Sequence, residues 1–323
     1  MIKVYCPNLS NTEIGGGWTF LRNLNKASKL ATSNFELVSD LRKSDVLFAF
    51  SPTTIDASTI SEAKKLGKRF ILRIDGVPED SRNSGKGTKR LVEYARQADY
   101  IVYQTDFVNQ TVGRILRSMD VRAESNVIMN GVDTDVFNPT GPKLPLIGVE
   151  GTIKILHVNY RKDNNKRYEA VLAMYRELWT YRHDVTLVLM GRYPTEWQDY
   201  NMGFFAGESF VRIGVTTDET YKAMVMRSCD LFYYPSFADP SPNVVMEAMA
   251  SGLEVYCEPY GGSNDITQFL AQSIHEFDPK DITQLDKRML VSGGGTMRDI
   301  AVKEYNLAKL AERYSHLFLK VAG

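Results

Sequence analysis

Histidine is scarce in this chain: four in 323 residues, with none ahead of His157. Cysteine is scarcer still, and Cys6, Cys229 and Cys257 are the full set. They form no CxxC pair and no metal-ligand spacing, which argues against a zinc scaffold or a disulfide framework and fits a reducing compartment. No stretch approaches the roughly 18 apolar residues of a membrane span. The opening MIKVYCPNLS lacks the apolar run of a signal peptide. The expected location is therefore cytoplasmic, with peripheral membrane contact left open. An excess of one charge is also missing, since Lys plus Arg and Asp plus Glu each number 39. That excludes the basic footprint of a nucleic-acid binder and favours a small, discrete substrate. No repeat with a period of roughly 20–50 residues is present, so solenoid architectures drop out.

What is present is ordinary globular material. Hydrophobic residues make up 43% and charged residues 24%, and the length suits two domains of about 150 residues. Short apolar runs alternate with helical patterns. Strands are expected over 2–6, 45–50, 69–74 and 100–104, with helices over 18–30, 59–66 and 89–98 between them. This is the βαβα rhythm of a parallel sheet covered by helices. Around residues 130–152 the Gly- and Pro-rich stretch NGVDTDVFNPTGPKLPLIGVEG breaks the rhythm. A second series then begins, with strands over 154–158, 185–190, 211–213, 231–234 and 254–257 and helices over 167–180, 217–227 and 243–250. The expected division is a first α/β domain over 1–140, a linker over 141–152, a second over 153–298, and a helix over 299–323 returning to the first. Leu307, Leu310, Tyr314, Leu317, Phe318 and Val321 share one face of that helix at three- and four-residue steps. Two parallel-sheet domains joined by a hinge predict a ligand cleft at the carboxyl ends of their strands.

The densest chemistry lies in PSFADPSPNVVMEAMASG, residues 235–252. A strand ends, a loop carries Asp239, and Pro240 and Pro242 lead into a helix. The amides of Asn243 and Val244 at its start suit a phosphate, because a helix N-terminus carries partial positive charge. Glu247, one turn in, is placed to accept hydrogen bonds from ribose hydroxyls; the plain alternative is a helix carboxylate facing solvent. In HVNYRKDNNKR, residues 157–167, Arg161 and Lys166 follow a strand. Two such cations neutralise a diphosphate and stabilise the charge that builds as a sugar leaves; the alternative is a solvated basic loop. IGGGWTF, residues 14–20, puts Gly16 and Gly17 between a strand and its helix, where backbone can approach an anion or sugar closely. It is not the GxGxxG dinucleotide fingerprint. Asp75, in LRIDGVPED, ends another strand and serves either as a turn residue or as a sugar or acceptor ligand. The basic stretch RNSGKGTKR, residues 82–90, reads as a solvated loop or an acceptor loop.

Together these motifs resemble the family 4 retaining glycosyltransferases of the GT-B fold. The family signature is two acids separated by seven residues, then E-A-M/L-A-x-G. Here the positions are Asp239 and Glu247, followed by Ala248, Met249, Ala250 and Gly252. Arg161 and Lys166 keep the family's spacing, while Asn159-Tyr160 and Arg167 stand where it has glycines. VIMNGVDTDVFNP (127–139) resembles its P-N-G-V-D-x-x-x-F stretch, and GGSNDI (261–266) its G-G-x-x-E-I element, with Asp265 for the glutamate. The family usually has a histidine where this chain has Asp75. The resemblance implies two Rossmann-like domains facing across a cleft and transfer of a sugar from a UDP- or GDP-linked donor to a glycan, lipid or protein hydroxyl. It implies Glu247 on the donor ribose, Arg161 and Lys166 on the diphosphate, and Asp239 near the transferred sugar. It implies no cofactor and no metal. Two other readings stay open: a GT-B epimerase or phosphorylase, or a nucleotide-binding protein with a degenerate site.

Overall fold

The computed structural model describes residues 1–323 except 11, 12, 14, 77–85, 160–166, 193–207, 269 and 274–286, and leaves aside the side chains of 86, 272, 273 and 287–294. Packing divides the chain into two compact units. The first joins Met1–Gly131 to Tyr305–Gly323, and the second is Val132–Glu304.

The first unit is built on strands β1 (Ile2–Tyr5), β2 (Phe35–Val38), β3 (Val46–Ala49), β4 (Arg69–Ile74), β5 (Tyr100–Tyr103) and β6 (Glu124–Val127). They pair in the order β2-β1-β3-β4-β5-β6, every pair parallel. β3 (VLFA) and β5 (YIVY) are buried at every position, as strands covered on both faces must be. Helices α1 (Gly16–Ala27), α2 (Ala57–Lys65) and α3 (Lys86–Gln97) alternate with them. β2 and β6 were not among the expected strands. Both are edge strands, and β6 (ESNV) is mostly exposed, so it carries no apolar run.

In the second unit the strands are β7 (Ile153–Asn159), β8 (Val185–Gly191), β9 (Phe210–Ile213), β10 (Leu231–Tyr234), β11 (Glu254–Cys257) and β12 (Gln272–Ser273). Their order is β12-β11-β10-β7-β8-β9, again all parallel. Helices α4 (Tyr168–Tyr181), α5 (Glu219–Arg227), α6 (Asn243–Ala250), α7 (Gly262–Thr267) and α8 (Lys287–Glu304) belong to this unit. The stretch read as a linker packs with it: the Leu144 amide bonds the Met224 carbonyl at 3.2 Å, and Leu146 and Val149 are buried. Counted within this unit, the order is the doubly wound 3-2-1-4-5-6 arrangement read from its other edge, reversing between β7 and β10.

The single helix expected over the carboxyl terminus is in fact two. α8 stops at Glu304, and α9 (Leu307–Ala322) begins after Asn306, whose backbone is extended at φ −63 and ψ 162. The Asn306 side chain accepts the Lys309 amide at 2.9 Å, an N-cap that restarts the helix. At this break the chain passes from the second unit back to the first. α9 completes the first unit's core: Leu310, Tyr314, Leu317 and Phe318 pack with Phe20, Phe35 and Phe48. Phe318 meets Phe35 edge-on at 4.9 Å between centroids.

Candidate functional site

Ligands of doubly wound sheets sit outside the carboxyl ends of the strands where the strand order reverses. In the second unit that point lies after β7 and β10. β7 leads into the segment holding Arg161 and Lys166, which lie outside the described residues. β10 leads into the Asp239 loop and α6. Sheet topology thus puts the Asp239 loop and the start of α6 at the carboxyl end of the strand that pairs with β7.

The Asp239 loop is held by its own carboxylate and by the turn after β11. Tyr234 Oη donates to Asp239 Oδ2 at 2.9 Å, and the Ser241 amide donates to Oδ1 at 3.2 Å. The Ala238 amide bonds the Tyr260 carbonyl at 2.9 Å, and the Gly262 amide bonds the Asp239 carbonyl at 2.8 Å. Gly261 has φ 145, and a β-carbon there would lie 3.1 Å from the Asp239 nitrogen. Only glycine fits so close an approach in that backbone region. The GGSNDI element therefore clamps the acidic loop. Asp239 itself is half-buried, and beside it the exposed Phe237 stacks on the exposed Tyr260 at 4.9 Å.

α6 starts after Pro242 with no side-chain cap. Asn243 is buried and Val244 half-buried at its first turn. Glu247 does not face solvent: it is 3% exposed. Lys222, on α5, reaches Glu247 Oε1 at 2.7 Å, and the Lys222 side chain is itself 9% exposed. Glu247 Oε2 is buried and has no hydrogen-bond partner among the described residues. The Lys222 ammonium also lies 5.5 Å from the centroid of the Phe137 ring. This gives the NGVDTDVF element a structural task. Asp133 accepts from the amides of Asp135 and Val136 at 3.2 and 3.3 Å, and the resulting turn seats Phe137 beside the buried ion pair.

Several residues at this end of the sheet were not singled out from sequence. Lys222 and Tyr234 are two. Arg167 and Glu258 are two more, with Arg167 Nη1 on Glu258 Oε2 at 2.6 Å and the Glu258 side chain only 5% exposed. Arg167 has φ 48, a left-handed conformation in which side chains are uncommon. This is the position where the resembling family carries glycine, the residue that adopts that conformation at no steric cost. The usable signal was that mismatch between a bulky residue and a glycine position.

In the first unit the strand order reverses between β1 and β3. Gly16 and Gly17 open α1 there, after Gly15 at φ 146 and again without a side-chain cap. Gly16 is exposed, and a β-carbon on Gly17 would touch the Phe50 ring at 3.4 Å. Asp75 follows β4. Two residues earlier, Arg73 is fully buried; its guanidinium donates to the Phe50 carbonyl at 3.0 Å and to Asn130 Oδ1, and stacks 3.8 Å above the Phe20 ring. Gln104 links the network, accepting from Asn130 Nδ2 at 3.2 Å and donating to the Ile74 carbonyl at 3.2 Å. Asp75 is open to water by area, but its carboxyl is crowded by protein. Desolvation pushes its pKa above the usual carboxylate value, and the Arg73 charge and a Ser51 hydrogen bond pull it partly back. The stretch 77–85 lies outside the described residues, and the rest of the stretch read as a basic loop, 86–90, is not a loop but the first turns of α3.

Among the described residues no group of three or more His, Cys, Asp or Glu is gathered as for a metal ion. No helix among them is long and apolar enough to cross a membrane.

Residues 153–290 match the family model described as glycosyl transferases group 1. No curated protein matches the sequence. Among solved structures, the chain is similar to Anabaena HepE in complex with UDP and glucose, at 14% identity and TM-score 0.74, covering 99% of this chain and 100% of that one. The same protein in complex with UDP-glucose matches at 13% identity and TM-score 0.74, with the same coverage. Sucrose-phosphate synthase from Thermosynechococcus elongatus matches at 14% identity and TM-score 0.72, covering 99% of each chain. The fold is the GT-B architecture expected from the sequence.

Proposed function

With residues 153–290 carrying a group 1 glycosyl transferase domain, we propose that the protein moves a sugar from a UDP- or GDP-linked donor to a hydroxyl of a glycan, lipid or protein, with retention of configuration. The observation that carries this reading is the arrangement at the switch point of the second sheet. There the acidic loop and α6 follow β10, which pairs in parallel with β7 at the point where the strand order reverses. UDP is the first donor base to test, because HepE is similar in fold and its structures hold UDP and UDP-glucose.

In this mechanism Arg161 and Lys166 hold the diphosphate, with the start of α6 at Asn243 and Val244 adding amide donors. Glu247 takes the ribose. Gly16 and Gly17, at the switch point of the first unit's own sheet, leave backbone open to a phosphate or sugar. As the bond between the anomeric carbon and the β-phosphate oxygen breaks, negative charge grows on the phosphate and positive charge on the sugar. The cations stabilise the first. Asp239, fixed by Tyr234 and Ser241, stabilises the second, and Asp75 orients the acceptor. The acceptor oxygen bonds the anomeric carbon on the face the phosphate leaves, and its proton passes to the departing phosphate oxygen. No step needs a cofactor or a metal, since arginine and lysine supply the charge. The protein acts in the cytoplasm, with peripheral membrane contact where the acceptor is a lipid.

The test is a thermal-shift screen against UDP, GDP, ADP and their sugars without added metal, followed by turnover assays with the selected donor. A ligand at 100 times its Kd adds about 2.7 kcal/mol of stability. A selective rise in Tm with one diphosphate and its sugar is expected. Absence of any shift in folded protein overturns the donor reading.

A further inference from the structure

A carboxylate that binds a ribose is usually pictured as a fork, one oxygen for each hydroxyl. In this chain one tine is already taken. Lys222 Nζ sits 2.7 Å from Glu247 Oε1, both side chains are more than nine-tenths buried, and they come from different helices, α5 and α6. Glu247 Oε2 is also buried, yet has no partner among the described residues. Leaving a buried acceptor unmade is costly, so a ligand that donates to it gains that lost bond.

We propose that Lys222 is a positioning residue for the donor ribose. By occupying Oε1 it fixes the carboxylate rotamer and leaves Oε2 as the acceptor for a single ribose hydroxyl. The inference rests on Glu247 being the ribose ligand. The anchoring is specific because Lys222 is itself held from other directions. Its ammonium lies beside the Phe137 ring, and Asp218 caps α5 one turn earlier, accepting the amides of Thr220 and Tyr221 at 2.9 and 3.1 Å. The Phe137 turn, α5 and α6 therefore converge on one carboxylate.

The experiment compares the affinities of UDP, 2′-deoxy-UDP and 3′-deoxy-UDP, by calorimetry, for the wild-type protein and for Lys222→Met, Lys222→Gln and Lys222→Arg. In the wild type, one deoxy analogue is expected to bind about tenfold more weakly than UDP and the other to bind about as UDP does. Lys222→Met is expected to bind UDP more weakly and to lose the difference between the two analogues; Lys222→Arg, which still reaches Oε1, keeps it. A merely structural ion pair would change Tm without changing that ratio. Should Lys222→Met fail to fold, the ratio is read on Lys222→Gln, where partial loss is expected. A folded Met or Gln variant with wild-type affinity and wild-type discrimination overturns the Lys222 assignment alone. Equal losses for both analogues in the wild type overturn the single-acceptor geometry. If UDP, GDP and ADP all fail to bind the wild type, the donor-site reading falls and this inference with it.

Discussion

Glu247 and Lys222 illustrate how much one side chain's surroundings decide. On a solvent-facing helix position, replacing glutamate by alanine costs little. In the structure both partners are buried, and Glu247→Ala leaves the Lys222 charge without its partner. Breaking a buried ion pair from one side costs about 3–5 kcal/mol. Chemical denaturation of Glu247→Ala is expected to show a loss of that size, and Glu247→Gln, which keeps shape and hydrogen bonding, a smaller one. The Gln variant is therefore the one in which to measure nucleotide affinity, which should fall. Asp75 shows the opposite balance. Its folded-state pKa lies above the ordinary 3.8, chiefly through desolvation. The ionised carboxylate thus works against the fold above that pH, and the penalty vanishes below it, where folded and unfolded states are both protonated. Asp75→Asn is expected to raise Tm at pH 7, with the gain fading as pH falls towards 3.8. The same variant should turn over more slowly if Asp75 orients the acceptor. A stabilising substitution that lowers activity marks a functional group, because active sites hold residues the fold would not choose.

Among the elements, α9 has the clearest task. Its apolar face supplies Leu310, Tyr314, Leu317 and Phe318 to a cluster built with residues of α1 and of strands β1 to β5. Phe318 is fully buried and meets Phe35 and Phe48 at centroid distances of 4.9 and 5.5 Å. Phe318→Ala is expected to cost about 3–5 kcal/mol, read from urea unfolding, because the cavity it leaves is walled by rigid aromatic rings. The fall should appear in the unfolding of the first unit. The Gly261 turn matters for a different reason: its φ of 145 and the nearby Asp239 backbone leave no room for a side chain. It sets where the acidic loop lies without touching a ligand itself.

At the scale of the whole molecule, each unit is a separate doubly wound sheet with its own core, and the chain crosses between them at Gly131–Val132 and again at Glu304–Tyr305. The three thiols report on both units. Cys6 lies in the first, Cys229 and Cys257 in the second, and all are buried. Burial pushes each thiol pKa up, that of Cys257 to about 12. The thiolate is the reactive form, so the native protein at pH 8 should react with a disulfide reagent only as fast as it opens. All three thiols are expected to react at once in guanidinium. A nucleotide that binds the second unit should slow Cys229 and Cys257 selectively in partial denaturant, while Cys6 keeps its rate. Mass-spectrometric quantification of each labelled cysteine checks this.

Local pattern carried the class of fold, since a central strand such as β7 and an amphipathic face such as that of α9 are written in consecutive residues. It also located the acidic loop and the helix that carries Glu247, because spacing within a strand–loop–helix unit is short-range, while the basic segment at Arg161 and Lys166 lies outside the described residues. It missed β2, β6 and β12, whose edge positions need no apolar run, and the break at Asn306, where the same periodicity continues across a cap. The buried partners lay beyond its reach altogether. Lys222 and Glu247 are 25 residues apart, and Arg73 and Asn130 are 57 apart. A charge on a helix face looks like a solvated charge until packing removes the water, and that removal depends on which helices pack together. Fold class follows from pattern along the chain, whereas a carboxylate's partner and exposure follow from what the packed elements bring next to it.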